Sequence, residues 1–427
     1  MNIIKVKRML KRFPPLAAAA KALRRELVQS PENHVPEITP LGVREDSPEN
    51  TAFRLNFMTP SVDVAHVFGG ISTAMQLFES LRRELGCEAR IISTDADVVD
   101  KTSTASADYK IVTAADESSE PLQLVAFNDR AGKTLPVRQK DIFVCTAWWT
   151  VYTVQNILDW QKETWGDTNP VIYIVQDYEP GFYPWSSRYM MAESTYRLEY
   201  PTYAVFNSKL LKDYFDQNGY SFAKSWYFEP VLNRKLAEYL PKEEIVKKDK
   251  QILVYGRPSI DRNAFALVVE TLKLWAAAQP DAKEWRILSA GEAHKDVELG
   301  NGCVLHSLGK LSLEEYANTM LATHAGLSLM VSPHPSYPPL EMSTFGAKVV
   351  TNCYGNKDLT GFNENMTCLA DGSPRALSKA LLSITSAYSG EGRIAADNDY
   401  AKGGRPFGCV VEELSAYLQT ALGLCKE

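Results

Sequence analysis

Short β-rich runs alternate with amphipathic helical stretches along most of this sequence, and the alternation begins twice. The first series starts at Arg54 with RLNFM, and the second starts at Gln251 with QILVYG after a charged connector. Between the runs, apolar residues recur at helical spacing, for example near 187–198 and over 263–278. Strands and helices in this order build parallel, doubly wound sheets that bind ligands at the carboxyl ends of their strands. The pattern therefore predicts an α/β protein with two Rossmann-like domains facing each other across a cleft.

The chain divides into four predicted segments, because 427 residues are too many for one ordinary core. We assign residues 1–48 to a basic N-terminal segment and linker. Residues 49–232 form the first domain, and 233–408 form the second. Residues 409–427 are predicted to form an amphipathic helix that follows a glycine-rich loop and crosses back to the first domain.

Composition and charge exclude several classes of protein. A net charge of -6 argues against nucleic acid as a partner. No apolar run reaches the length of a bilayer span and no signal peptide is visible, which favours a cytoplasmic protein. The seven cysteines are scattered and never spaced as CxxC. That spacing predicts free thiols, with no zinc site and no disulfide framework.

Residues 1–25 differ from the acidic remainder of the chain. Eight Lys or Arg residues precede the first acidic residue, Glu26. Two interpretations are open: a solvated, partly disordered tail, or a basic amphipathic segment that touches an anionic membrane surface. The second interpretation predicts peripheral contact with the inner face of the membrane.

Three basic residues follow predicted strands of the second domain. Arg257 comes directly after ILVYG, Arg262 lies five residues further on, and Lys310 follows HSLG. Such charges suit a nucleoside diphosphate, because they stabilise the negative charge that grows on a pyrophosphate leaving group. Each residue alone is compatible with a solvated loop, but their recurrence at strand ends of one domain favours a site. Arg257 and Lys310 are candidate catalytic residues, and all three are candidates for binding a nucleoside diphosphate.

The stretch SPHPSYPPLEMSTFGAKVV joins a proline-rich loop to a predicted helix. Ser336 and Tyr337 precede the helix, which we expect to begin near Pro339, and Glu341 falls in its first turn. Prolines stiffen the loop, so the amides of Ser336 and Tyr337 are presented to phosphates. Glu341 is then a candidate to bind the ribose hydroxyls and to take part in catalysis. Simple stabilisation of the helix N-terminus is the alternative role for this carboxylate.

The first domain contains candidates for binding a sugar on the opposite side of the predicted cleft. Gln176, Asp177 and Glu179 follow the predicted strand VIYIV, and aromatic residues follow them in the sequence. Aromatic rings pack on the apolar faces of a pyranose while carboxylates bind its hydroxyls, so this mixture favours sugar binding.

Two further features of the first domain are candidates for the same cleft. Trp148 and Trp149 follow another predicted strand, DIFVCTA, and are expected either to line the cleft or to pack in the core. The Gly69-Gly70 pair lies at a strand-to-helix turn, where Gly70 allows close approach of the backbone to a bound nucleotide.

The second half of the chain resembles the GT-B glycosyltransferases of family four. PLEMSTFGAKVVTN matches the second half of that family's two-glutamate motif, with Glu341 at the second glutamate. LGKLSLEEYANTM and YGRPSIDRNAF are similar to two other segments of the family. The first glutamate of the motif falls on Pro333, so that half of the motif is absent here.

A closer similarity is to bacterial rhamnosyltransferases of this family that elongate surface polysaccharides, including S-layer glycans. It rests on SPHPSYPPLEM and YIVQDYEPGFYPWSS and extends from about residue 50 to the end. The resemblance implies retaining transfer of L-rhamnose from dTDP-L-rhamnose to a rhamnan or another bacterial surface glycan, with a lipid-linked acceptor. It also implies that no metal and no cofactor take part.

Two alternatives remain for the function. The missing first glutamate is compatible with a non-catalytic sugar- or nucleotide-binding partner in a glycan-assembly complex. A nucleotide-sugar epimerase shares the two-domain GT-B fold. Arg257, Lys310 and Glu341 are all present, and this favours the transferase, because a non-catalytic homologue has no need of cations that bind a pyrophosphate.

Overall fold

Two parallel sheets follow one another along the chain, one in each predicted domain. The protein's structure is a computed structural model that describes residues 35–62, 70–98, 108–114, 118–130, 132–405, 407–421 and 423. The basic segment predicted over residues 1–25 lies outside the described residues. The prediction of a two-domain α/β protein is confirmed.

The first domain is built around eight parallel strands in the order β10-β9-β8-β7-β2-β3-β5-β4, with β1 and β6 forming a separate parallel pair. The strands are β1 Gly42–Glu45, β2 Arg54–Thr59, β3 Glu88–Ser93, β4 Lys110–Val112, β5 Leu122–Ala126, β6 Thr134–Val137, β7 Asp141–Cys145, β8 Val171–Val175, β9 Thr202–Phe206 and β10 Lys224–Tyr227. The helices are α1 Gly70–Leu85, α2 Trp148–Trp165, α3 Ser187–Ser194 and α4 Lys209–Gln217. Strands β2, β7, β8 and β9 are buried along their whole length, because helices cover both faces of the sheet.

The second domain contains a seven-stranded sheet in the order β14-β15-β13-β12-β16-β17-β18, in which only β14 is antiparallel to its neighbour. Its strands are β12 Asp249–Gly256, β13 Arg286–Gly291, β14 Val297–Gly300, β15 Cys303–Gly309, β16 Thr323–Leu327, β17 Lys348–Asn352 and β18 Met366–Leu369, and a separate antiparallel pair is formed by β11 Ile245–Lys247 and β19 Glu391–Arg393. The helices are α5 Arg234–Ala237, α6 Phe265–Ala278, α7 Leu313–Ala322, α8 Tyr337–Thr344, α9 Pro374–Ser386 and α10 Asp399–Lys402.

The last helix, α11 Phe407–Ala421, returns to the first domain. Its buried residues Val410, Leu414 and Leu418 pack in the same apolar cluster as strand β2 and helix α1. The chain therefore passes between the domains twice, once after β10 and once before α11.

The two passages run side by side. The N–H of Glu229 donates to the carbonyl of Arg405 at 3.1 Å, and the N–H of Leu232 donates to the carbonyl of Tyr400 at 2.9 Å. Backbone hydrogen bonds thus join the outgoing segment to the returning one. Along the described residues, no helix combines the length and the apolar character that crossing a membrane requires.

Candidate active site

The loops at the carboxyl ends of the two sheets meet between the domains. In the first domain, the short helix at Glu179–Phe182 follows β8. In the second domain, the short helix at Asp261–Asn263 follows β12, and these two helices are in contact. A cleft at this place is where facing doubly wound sheets bind ligands.

The three predicted cations lie at one edge of the second sheet. Arg257 follows β12 directly and is partly exposed, with its side chain over Gly291 at the end of β13. Lys310 follows β15 and is exposed. The strand order places the ends of β15, β13, β12 and β16 in sequence along this edge, so both residues share it with the loop that follows β16.

The third cation, Arg262, joins the two domains. Its Nε lies 3.2 Å from Oδ2 of Asp177, and its guanidinium group lies over the ring of Phe182, 4.2 Å from the centroid. The other oxygen of Asp177 accepts hydrogen bonds from the hydroxyl of Ser332 and, at 2.8 Å, from the N–H of Tyr178. Asp177 is therefore a carboxylate of the first domain bound to two loops of the second.

The proline-rich loop is locked by its own side chains. The N–H of His334 donates to Oγ of Ser332, and the N–H of Ser336 donates to Nδ1 of His334, each at 3.0 Å. The Ser336 amide is thus occupied, and the expectation that it faces phosphates is wrong for this arrangement. Ser336 has φ 68° and ψ 136°, a conformation that non-glycine residues rarely adopt.

Helix α8 begins at Tyr337, two residues earlier than expected, because Pro338 and Pro339 are compatible with a helix's first turn. Glu341 consequently lies in the second turn and not in the first. Tyr316 and Tyr400 are close to its carboxyl group. Burial in this surrounding raises the pKa of Glu341 to about 7.

Two of the predicted acceptor residues pack inside the first domain. Trp148 is completely buried at the start of α2, and its Nε1 donates to the hydroxyl of Tyr183 at 3.0 Å. Oε2 of Glu179 accepts from the N–H of Trp148 at 2.5 Å and from the hydroxyl of Tyr173 at 2.8 Å. Burial raises the pKa of Glu179 to about 8. Trp148 and Glu179 are therefore buried in the first domain. For Trp148 this is the second of the two expected positions, and for Glu179 it corrects the expectation of a sugar contact.

The other first-domain candidates are nearer the surface. Nε1 of Trp149 donates to Oδ2 of Asp95 at 3.0 Å. Gly70 opens helix α1 beside Gln176, and a Cβ at position 70 would lie 1.7 Å from Oε1 of Gln176. Any side chain at position 70 would require the Gln176 side chain to move, so Gly70 and Gln176 form one surface. Trp185, which lies in the segment that follows β8 as Gln176 does, is 97% exposed.

Two residues that were not assigned roles from the sequence are part of the same region. His334 is 5% exposed, and Lys357 is 1% exposed with its Nζ donating to the carbonyl of Met330 at 2.6 Å. Burial lowers the pKa of Lys357 to about 8. The sequence does contain a signal for His334, a lone histidine between prolines. It contains none for Lys357, which lies in an ordinary loop between β17 and β18.

One group of potential metal ligands occurs in the part of the chain that the structure describes. Ligand atoms of Cys353, Asp358 and Cys368 lie within 4.8 Å of one another, and the two sulfur atoms are 3.1 Å apart. The sequence spacing gave no sign of this group, because the neighbouring parallel strands β17 and β18 bring the two cysteines together. A dependence of activity on metal would point to this group.

Solved structures share the two-domain architecture. Sucrose-phosphate synthase from Thermosynechococcus elongatus has a TM-score of 0.55 and 14% identity, over 87% of this chain and 100% of that one. WaaG, described as a glycosyltransferase involved in lipopolysaccharide biosynthesis, has a TM-score of 0.50 and 14% identity, over 85% of this chain and 99% of that one. The fold is that of the GT-B glycosyltransferases.

Both domains also match one family by sequence. Residues 54–209 match the description "WsaF, N-terminal domain", and residues 250–382 match "WsaF, C-terminal domain". Together these matches span more than half of the chain. The chain therefore belongs to the WsaF family of GT-B glycosyltransferases. It is also 27% identical over 291 residues to "O-antigen biosynthesis protein RfbC" of Myxococcus xanthus, which covers 67% of this chain and 21% of that protein. The chain thus spans about a fifth of the length of this curated relative.

Proposed function

We propose that the protein is a retaining glycosyltransferase that transfers L-rhamnose from dTDP-L-rhamnose to a bacterial surface glycan. The observation on which this proposal depends most is that Arg257 and Lys310 lie at one edge of the second sheet, after β12 and β15, and share this edge with the loop that leads to Glu341. Membership of the WsaF family and the O-antigen name of the Myxococcus relative support the glycan. The sequence resemblance to rhamnosyltransferases supports the sugar.

Each group has a role in this proposal. Arg257 and Lys310 bind the diphosphate and stabilise the charge that develops on it as the glycosidic bond to the donor breaks. Glu341 accepts hydrogen bonds from the ribose. Gly70 and Gln176, which pack against each other in the first domain, form the opposite wall of the donor site.

The acceptor binds on the first-domain side of the cleft. Trp149 and the exposed ring of Trp185 offer apolar surfaces for sugar rings there. We propose a lipid-linked glycan as the acceptor, at the cytoplasmic face of the membrane. No metal and no cofactor are required, because the two cations replace a metal at the leaving group.

The test is to incubate the purified protein with dTDP-L-rhamnose, with and without a rhamnose-containing acceptor, and to measure dTDP release. Acceptor-dependent release is expected, with an anomeric configuration in the product that matches the donor. Parallel reactions with dTDP-glucose and UDP-glucose separate recognition of the sugar from recognition of the base.

Other outcomes would assign a different function. Interconversion of the sugar while it stays attached to the nucleotide would indicate an epimerase. Tight binding of nucleotide sugars without turnover would indicate a non-catalytic partner of a glycan-assembly complex. Arg257→Ala provides the inactive control for the transfer reaction.

A further inference from the structure

The ring of His334 has a defined tautomer. Its Nδ1 accepts a hydrogen bond from the N–H of Ser336 at 3.0 Å, so Nδ1 is unprotonated and Nε2 carries the hydrogen. Burial also lowers the pKa of His334 to about 4, which leaves the ring neutral near pH 7. The side chain therefore presents one uncharged N–H donor, at Nε2.

That donor has no hydrogen-bond acceptor among the residues that the structure describes, although His334 is only 5% exposed. Buried polar groups are almost always paired, because a buried group without a partner loses its hydrogen bonds to water. Nε2–H of His334 lies in the loop that binds Asp177 between the two domains, and it is left without a protein acceptor there, as a group that binds a ligand would be.

The groups around the ring already have partners of their own. Asp177, Lys357 and Arg262 all act electrostatically on His334. Asp177 binds Ser332 and Arg262, and Lys357 binds a backbone carbonyl. None of these groups accepts a hydrogen bond from Nε2 of His334.

The backbone fixes the position of the ring before any ligand binds. The strained conformation of Ser336 directs its amide to Nδ1 of His334, and the Ser332–Asp177 hydrogen bond attaches the same loop to the first domain. Backbone strain of this kind persists where the surroundings determine the conformation, and it is concentrated at ligand-binding sites. A fixed donor binds its acceptor without a further cost in side-chain ordering.

We propose that His334 contacts the donor substrate directly and donates a hydrogen bond from Nε2 to an oxygen of the nucleotide sugar. The acceptor is either a diphosphate oxygen or a hydroxyl of the transferred sugar, both of which take a hydrogen bond from a neutral imidazole. This inference rests on the proposed function, in which the cleft binds a nucleotide sugar.

Two substitutions distinguish the role of Nδ1, which accepts a hydrogen bond within the loop, from the proposed role of Nε2, which donates one to the ligand. In His334→Asn, the amide oxygen can replace Nδ1 as the acceptor for the N–H of Ser336, but nothing replaces Nε2. In His334→Gln, the longer side chain can place an N–H donor near Nε2, but it loses the acceptor at Nδ1. His306→Asn, on the exposed face of β15, is the matched control.

Calorimetric titration with dTDP-L-rhamnose is the primary measurement, with thermal unfolding as the check on the loop. We expect His334→Asn to keep the wild-type midpoint of unfolding and to bind about 10-fold more weakly, the size of one ordinary hydrogen bond. His334→Gln should unfold at a lower temperature yet bind more tightly than His334→Asn. A purely structural histidine would give the opposite order, with the Asn variant the better binder.

Titration with dTDP alone identifies the acceptor atom. Equal weakening of dTDP and dTDP-L-rhamnose binding in His334→Asn assigns the contact to the diphosphate, whereas weakening of the nucleotide sugar only assigns it to the sugar. Unchanged binding of both ligands overturns the proposal. If the wild-type protein prefers another nucleotide sugar, the rhamnose assignment fails and the same comparison with that ligand still tests His334. Failure to bind any nucleotide sugar would overturn both.

Discussion

At the scale of single residues, Arg257 and Lys310 differ from most charged residues of the second domain in their position at the carboxyl edge of the sheet. We expect Arg257→Ala and Lys310→Ala each to reduce the turnover rate by about 100-fold or more, and to weaken dTDP binding less. The reason is that the negative charge on the leaving group is greatest in the transition state. Steady-state kinetics and dTDP titration measure the two effects.

Lys379→Ala is a suitable control for these variants, because Lys379 is an exposed lysine on α9, away from the cleft. It should behave as the wild type in both measurements. Wild-type rates in both cleft variants would require the donor site to be placed elsewhere.

Glu341 predicts a dependence of nucleotide binding on pH. Burial raises its pKa to about 7, so the carboxylate that we propose as the acceptor for the ribose hydroxyls becomes populated only as the pH rises from 6 to 8. Affinity for dTDP should therefore increase over this interval, by at most roughly 10-fold for a single group. Glu341→Gln should bind more weakly at pH 8 and lose this dependence on pH. Calorimetry at pH 6, 7 and 8 measures it.

Glu341 also makes the stability of the fold depend on pH. Because folding raises the pKa of Glu341 from 4.5 to about 7, its contribution to stability is complete below pH 4.5 and is lost as the pH rises through 7. Denaturant unfolding of Glu341→Gln should therefore approach or exceed wild-type stability above pH 7. A dTDP affinity that stays constant with pH in the wild type would argue against a ribose contact.

At the scale of elements, the periodicity of the sequence predicted the helices and strands because it reflects local burial. The helix expected over 263–278 is observed at Phe265–Ala278. The helix expected over 187–198 ends at Ser194, where the hydroxyls of Ser194 and Thr195 donate to the carbonyls of Met191 and Ala192. Such side-chain hydrogen bonds compete with continuation of a helix.

The parts of the site that the sequence did not predict depend on contacts between distant segments. The backbone N–H of Trp148 donates to the carboxylate of Glu179, 31 residues later. Asp177 binds Ser332, 155 residues away, in the other domain. Strand ends identify which edge of a sheet binds a ligand, but the partner of each side chain is decided by how the domains pack.

In the loop that precedes α8, we expect a substitution by glycine to stabilise the protein. Ser336→Gly should raise the free energy of unfolding by about 1 kcal/mol, because glycine adopts the Ser336 conformation without strain and the gain exceeds the added entropy of the unfolded chain. Ser312→Gly is the opposite control, since Ser312 caps helix α7 and has an ordinary φ of -64°. Urea denaturation measures both variants. Destabilisation by Ser336→Gly would show that the serine side chain stabilises the loop.

At the scale of the whole molecule, we expect transfer activity to be independent of metal. The proposed donor site uses Arg257 and Lys310 in place of a divalent ion. Full activity in excess EDTA is the predicted result, measured as acceptor-dependent dTDP release. Loss of activity in EDTA, with recovery on adding zinc, would assign a function to the group formed by Cys353, Asp358 and Cys368.

The basic N-terminal segment predicts reversible attachment to membranes. Its eight Lys and Arg residues would each contribute about 1 kcal/mol near an anionic bilayer. The full-length protein should sediment with anionic vesicles at low salt and dissociate at high salt, whereas a truncated protein that begins near Ser47 should stay in solution. Identical behaviour of the two proteins would leave the segment as a tail without a role at the membrane.

The paired passages between the domains determine which relative motions of the domains are easy. A single connecting segment would permit one domain to rotate relative to the other about the axis of that segment. We expect two adjacent segments, joined by backbone hydrogen bonds between Glu229 and Arg405 and between Leu232 and Tyr400, to resist such torsion and to bend most readily about one line. Opening of the cleft about that line would separate Asp177 from Arg262 and Ser332.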